Sequence, residues 1–160
     1  MEIKFKSIGK VKTRVTAEEV RKGGTDLEGE LEIDPEFEPA LEGIESFSHL
    51  FLLCYFHKLR PEQVGPLKVK PKHLVRRGFK LENLPALGVF ALDSPTRPNP
   101  IGLTLVRLIN RDGRTLHVRG LDVFDGTPIL DIKGYHSDYR VNDFTLPAWH
   151  LNLMNEAGHV

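Results

Sequence analysis

LTLVRLINRDGRTLHVRGLDV, residues 103–123, reads as two strands and the turn that joins them. Residues 103–109 and 115–123 are apolar with β-branched members, and Asn110-Arg111-Asp112-Gly113 between them is a hairpin signal, with the glycine where φ must be positive. Outward from this hairpin the same punctuation recurs. Asp125-Gly126 turns the chain ahead of a short strand at 129–132, residues 3–15 open with apolar and polar residues in alternation, and 28–34 alternates again through Leu31 and Ile33. Thr16 and Glu19 form a T-x-x-E capping box for a short helix that Gly23-Gly24 would stop. A turn at 39–42 leads into 47–56, a run so apolar that it predicts a central strand buried on both faces. Strands at this spacing predict a mainly β protein, a small closed or nearly closed antiparallel β-barrel with short helices. After Tyr135 the period is lost. The expected organisation is a barrel domain over 1–135 and a C-terminal arm over 136–160, containing Pro147 and Trp149, that packs on the barrel or on a partner subunit.

The bulk numbers agree with one domain that has a real core: 160 residues, 40% hydrophobic, 28% charged. The net charge of zero is a cancellation. Residues 17–46 carry eleven acidic side chains against Arg21 and Lys22, whereas 57–80 holds Lys58, Arg60, Lys68, Lys70, Lys72, Arg76, Arg77 and Lys80 against Glu62. Such a basic stretch is either a solvated loop or a local phosphate-binding surface. No apolar run approaches the roughly 20 residues that span a bilayer, and no cationic-then-apolar leader opens the chain, so a cytoplasmic protein without membrane contact is expected.

The common catalytic signatures are missing: no glycine-rich dinucleotide fingerprint, no phosphate loop, no H-E-x-x-H and no C-x-x-C. His49 and His57 are eight residues apart on one presumed strand, too far at about 3.3 Å per residue to share a metal, and no metal site is expected. The lone Cys54 reads as a buried thiol rather than a nucleophile. His49, Phe51, Leu53, Tyr55 and His57 share one strand face, so His57 is either a hydrogen-bonded rim residue or a pocket wall.

Three further stretches go beyond these readings. GIESFSHLFLLCYFH (43–57), GVFALDSPTRPNPIGLTLVRL (88–108) and GLDVFDGTPILDIKGY (120–135), with a weaker IGKV at 8–11, resemble in content and order the blocks of the TsaA-like or YaeB-like family, the tRNA methyltransferase O group. The resemblance implies a β-barrel, usually homodimeric, that binds S-adenosylmethionine and methylates N6-threonylcarbamoyladenosine beside the anticodon of tRNA. It also implies a cofactor pocket of Phe56, His57, Asp93, Leu103, Asp125, Gly126, Thr127, Pro128 and Ile129, with a contribution from the Gly23-Gly24 loop. Arg97 is expected on substrate phosphate or carboxylate, or else in a structural ion pair, and Lys70, Lys72, Arg76 and Arg77 on tRNA. A urea-type acceptor nitrogen has to lose a proton, for which His57, Asp125 and Asp93 are candidate bases. Prolines 95, 98 and 100 are read as a rigid ledge of preset φ beside this pocket. One departure stands out: relatives carry Ala-Thr-Arg-Ser where this chain has Ala91-Leu92-Asp93-Ser94, which reverses a charge at a position expected to tune the acceptor. Two other readings stay open, an S-adenosylmethionine enzyme acting on a small molecule and a non-catalytic barrel that senses the cofactor.

Overall fold

The computed structural model describes residues 1–22 and 26–156, without the side chains of His73, Arg76, Arg77, Met154 and Glu156. Its strands are β1 (Gly9–Lys12), β2 (Glu28–Ile33), β3 (His49–Tyr55), β4 (Lys68–Val69), β5 (Leu87–Gly88), β6 (Ile101–Asp112), β7 (Thr115–Arg119) and β8 (Pro128–Gly134). Two α-helices, α1 (Ala17–Lys22) and α2 (Ala148–Glu156), and several short 3-10 turns complete it. The chain forms two compact units, one made of 1–66 with 95–135, the other of 67–94 with 136–160.

The first unit is a closed barrel in the order β1-β2-β7-β6-β3-β8, every pair antiparallel, with β1 and β8 completing the ring. Closure follows from the alternation. Val11, Leu31, Leu52, Val106, Leu116 and Ile129 point inward and are fully buried, while their chain neighbours point out. The β6–β7 hairpin closes on two residues, Gly113 and Arg114, with Asp112 opposite Thr115; φ is positive at Gly113 alone, the pattern of a type II′ turn. Asn110, Arg111 and Asp112 thus belong to β6 rather than to the turn. Between Leu108 and Asn110 the register slips, leaving Ile109 as a bulge.

The capping box forms as read: Glu19 Oε2 accepts from Thr16 N at 2.8 Å, and Thr16 Oγ1 accepts from Glu19 N at 3.2 Å. The Gly23-Gly24 stop lies outside the described residues. Strand β3 differs from its expectation. Leu50, Leu52 and Cys54 are buried, but Phe51 and Leu53 are only half-buried and Tyr55 is exposed. Once the sheet closes, each strand has only one inner face, so the second apolar row becomes outer wall. There Phe51, Leu53 and Tyr55 stand opposite Leu105, Leu103 and Ile101 of β6.

In the second unit β4 pairs with β5, and Leu74, Leu84 and Val89 are its buried apolar residues. Its tail has no clear apolar period, as read, but holds a helix: α2 starts directly after Pro147, whose carbonyl accepts from His150 N and Leu151 N. No helix among the described residues is long and apolar enough to cross a membrane.

Candidate functional site

Antiparallel closure brings the C-terminal ends of β1, β3 and β7 and the N-terminal ends of β2, β6 and β8 to one end of the barrel. Cys54 stands opposite Ile129, Tyr55 opposite Ile101, Lys10 opposite Pro128, and Glu28 opposite Arg119. Among the loops that leave this end are 56–60, 95–100 and 120–127. Each comes from a different signature block, and the barrel delivers all three to one place.

The prolines of the 95–100 loop are answered here. Pro100 O accepts Phe56 N at 2.8 Å, Asn99 O accepts Ile101 N at 2.7 Å and Pro95 O accepts Arg97 N at 3.0 Å. The carbonyls of Pro95 and Pro100 are spent on holding the chain. Phe56 lies half-buried over Gly102, where a Cβ would come within 2.7 Å of its ring. Ring and strand backbone are in direct contact.

The Asp125-Gly126-Thr127-Pro128 turn divides into a structural half and an open half. Thr127 is buried, its Oγ1 donates to Phe124 O at 2.7 Å, and its carbonyl accepts Val11 N at 2.9 Å. Ile129 faces the core, and its carbonyl accepts Ile8 N at 2.9 Å. Asp125 and Gly126 are exposed. Gly126 has φ +76°, and among the described residues beyond its chain neighbours a Cβ built there would meet only His57 Nε2, at 3.9 Å. Asp125 Oδ1 accepts Thr13 N at 2.9 Å, which points its carboxylate along the end of β1.

His57 is half-buried, and its imidazole is shifted below the ordinary histidine value, first by burial and then by the Lys58 ammonium, with Asp125 pulling the other way. The ring is therefore neutral at pH 7 and keeps a lone pair. The sign for stability follows. The unfolded chain takes up this proton below about pH 6.5, before the native state does, so stability falls with acid from there until the native pKa is passed. An NMR titration is expected to show His57 titrating below the ordinary histidine value, with the acid-side loss of stability reduced in His57→Asn.

The structure also joins residues that are distant in the chain. Lys58 Nζ lies 5.1 Å and Arg21 Cζ 5.6 Å from the centroid of the Phe124 ring, so two cations flank the aromatic residue that precedes Asp125. Leu103 is 65% exposed on the outer wall, two residues into β6, outside the loop cluster. Asp93, exposed, and Lys70 and Lys72 belong to the second unit, as do Arg76 and Arg77, whose side chains lie outside the described residues. Lys70 Nζ is committed to the carbonyls of Leu81 and Glu82 at 2.9 and 3.3 Å, whereas Lys72 is exposed. Arg97 is half-buried in the barrel unit.

Cys54 meets its expectation as a core thiol: it is fully buried and its pKa is pushed up to about 12, first by burial and then by the Asp122 carboxylate. It is expected to resist thiol reagents at pH 8 in the native protein and to react once the chain is unfolded. Rapid labelling of the native protein would contradict this.

These residues fit a sulfonium nucleoside. Such a ligand would find an aromatic wall in Phe56, an open backbone at Gly126, a carboxylate for its cation in Asp125 and a cation for its carboxylate in Lys58. A barrel whose loops gather such groups at one end belongs to a definite class: residues 15–140 match the family model of the tRNA-methyltransferase O N-terminal domain, and the chain belongs to that family. Among its relatives is a protein of Pyrococcus abyssi named a probable S-adenosyl-L-methionine-binding protein, 40% identical over 126 residues, which are 78% of this chain and 61% of that one. A mouse protein named tRNA (adenine(37)-N6)-methyltransferase is 44% identical over 102 residues, 64% of this chain and 22% of that one. A crystal structure of TrmO superposes with a TM-score of 0.70 at 31% identity, covering 92% of this chain and 64% of that one. The chain thus spans less than two thirds of the length of each.

Proposed function

We propose that this chain is an S-adenosylmethionine-dependent methyltransferase that N6-methylates N6-threonylcarbamoyladenosine next to the anticodon of tRNA. The observation that carries the reading is the open backbone of Gly126 facing neutral His57, beside Asp125, on the barrel end of a chain that belongs to this family. S-adenosylmethionine, when bound, supplies an electrophilic methyl on a sulfonium. Phe56 and the 125–126 backbone hold the nucleoside part, and Asp125 favours the cationic centre. Neutral His57 accepts the proton of the acceptor nitrogen through its free ring nitrogen. Alignment of donor and acceptor in this end of the barrel supplies the larger share of the rate. Incubating the protein with methyl-labelled cofactor and tRNA that carries or lacks the threonylcarbamoyl group tests this: label is expected only in the modified tRNA. Labelling of a small molecule instead would favour the small-molecule reading.

Two further parts of the proposal follow. The outward row of Leu53, Tyr55, Leu103 and Leu105 gives the barrel an apolar wall, with Leu103 and Leu105 65% and 46% exposed, and we assign it to a homodimer contact. Sedimentation is expected to give a dimer that Leu103→Lys dissociates. The basic segment is assigned to tRNA phosphates, with Lys72 as its clean probe because Lys70 also ties down backbone carbonyls. Lys72→Ala is expected to reduce the slope of log affinity against log salt by about 1. An enzyme of this kind works with mature tRNA in the cytoplasm. Asp93→Arg is expected to leave cofactor affinity unchanged and to improve use of the carboxylate-bearing acceptor.

A further inference from the structure

A groove of about 780 Å³ is lined by Lys12, Thr13, Arg14, Val15, Ile109 and Asn110, together with Glu28, Glu30, His117 and Asp125. Of the residues expected at the site it includes only Asp125. The groove therefore begins where the candidate site ends and runs across the wall formed by β1, β2, β7 and β6. Its size falls within the roughly 300–1,000 Å³ range of sites that take small organic ligands.

Most charges in it are already answered. Lys12 Nζ lies 2.9 Å from Glu32, Glu28 pairs with Arg119, His117 Nδ1 lies 3.5 Å from Glu30, and Asp125 accepts from Thr13 N. Two groups are not. Arg14 is exposed and makes no ion pair or hydrogen bond among the described residues, and the Asn110 side-chain amide likewise has no partner there. Both positions are fixed by the fold. Arg14 sits at the apex of a local turn in which Thr13 Oγ1 donates to Glu28 O at 3.0 Å and accepts from Val15 N at 3.1 Å. The register slip in β6 sets Ile109 and Asn110 side by side in the groove, although neighbours on a regular strand face opposite ways.

A cation without a partner, an open amide and apolar walls from Val15 and Ile109 together match a nucleotide: phosphate on Arg14, base edge on Asn110, base face on the aliphatic side chains. The carboxylates of Glu28, Glu30 and Asp125 repel phosphate, which leaves Arg14 as its partner. We infer that this groove binds an RNA nucleotide flanking the one that is methylated, an inference that rests on the tRNA reading above.

The test measures tRNA affinity across a salt series, S-adenosylmethionine affinity and thermal unfolding for the unsubstituted protein, Arg14→Ala and Asn110→Ala. Arg14→Ala is expected to weaken tRNA binding and lower the salt slope by about 1. Asn110→Ala is expected to weaken binding by about 5- to 150-fold with the slope unchanged. Both should keep cofactor affinity and unfolding temperature. If the unsubstituted protein binds and methylates tRNA while both variants match it in affinity and slope, the groove assignment is overturned and the function stands. If the unsubstituted protein binds the cofactor but no tRNA, the functional reading itself fails and the groove assignment falls with it.

Discussion

Gly126→Leu is expected to weaken S-adenosylmethionine binding by about 100-fold or more, the equivalent of roughly 2.8 kcal/mol, as read by calorimetric titration. The space a side chain would enter there is bounded, among the described residues beyond its chain neighbours, by His57 Nε2 at 3.9 Å, and we assign that space to the ligand. Leucine at a φ of +76° also strains the backbone by roughly 1–2 kcal/mol. Gly126→Asn separates the two effects. Asparagine tolerates left-handed φ, so that variant should unfold close to the normal temperature and still lose binding. An asparagine variant that binds normally would move the cofactor away from this turn.

His57→Asn is the second large effect. With the ring acting as the base, kcat is expected to fall by about 10²- to 10⁴-fold while cofactor affinity changes little. The pH profile provides the readout that a merely structural role would not move. Burial and Lys58 hold the His57 pKa below its ordinary value, so the unsubstituted enzyme should lose activity only as pH drops below about 6.5. That acid limb should be missing in the variant. A variant with unchanged kcat would assign the proton to Asp125 or to water.

The barrel was legible because it rests on local signals: period-two alternation in β2, β6 and β7, and glycines at the 113 and 126 turns. Strand β3 was misread on its outer side because hydropathy does not distinguish an apolar wall from a core. Leu53 and Leu52 look alike in sequence, yet only Leu52 is inside. Helix α2 was missed because AWHLNLMNE carries no strong apolar stripe, although Pro147 ahead of it was a usable start signal. For the site, resemblance supplied Phe56, His57, Asp125 and Gly126, and barrel closure supplied their meeting. The two cations on Phe124 could not be read in advance, since Arg21, Lys58 and Phe124 lie on separate loops and helices that only the ring of strands brings together. Thr127 and Ile129 show the converse: they lie within a signature block, but their side chains serve the turn and the core.

Nucleoside mass spectrometry of tRNA from cells with and without this protein tests the central claim most directly. N6-methyl-N6-threonylcarbamoyladenosine is expected to disappear when the protein is absent and to return with the unsubstituted gene but not with His57→Asn. A methylated nucleoside that persists at the same level without the protein would contradict it.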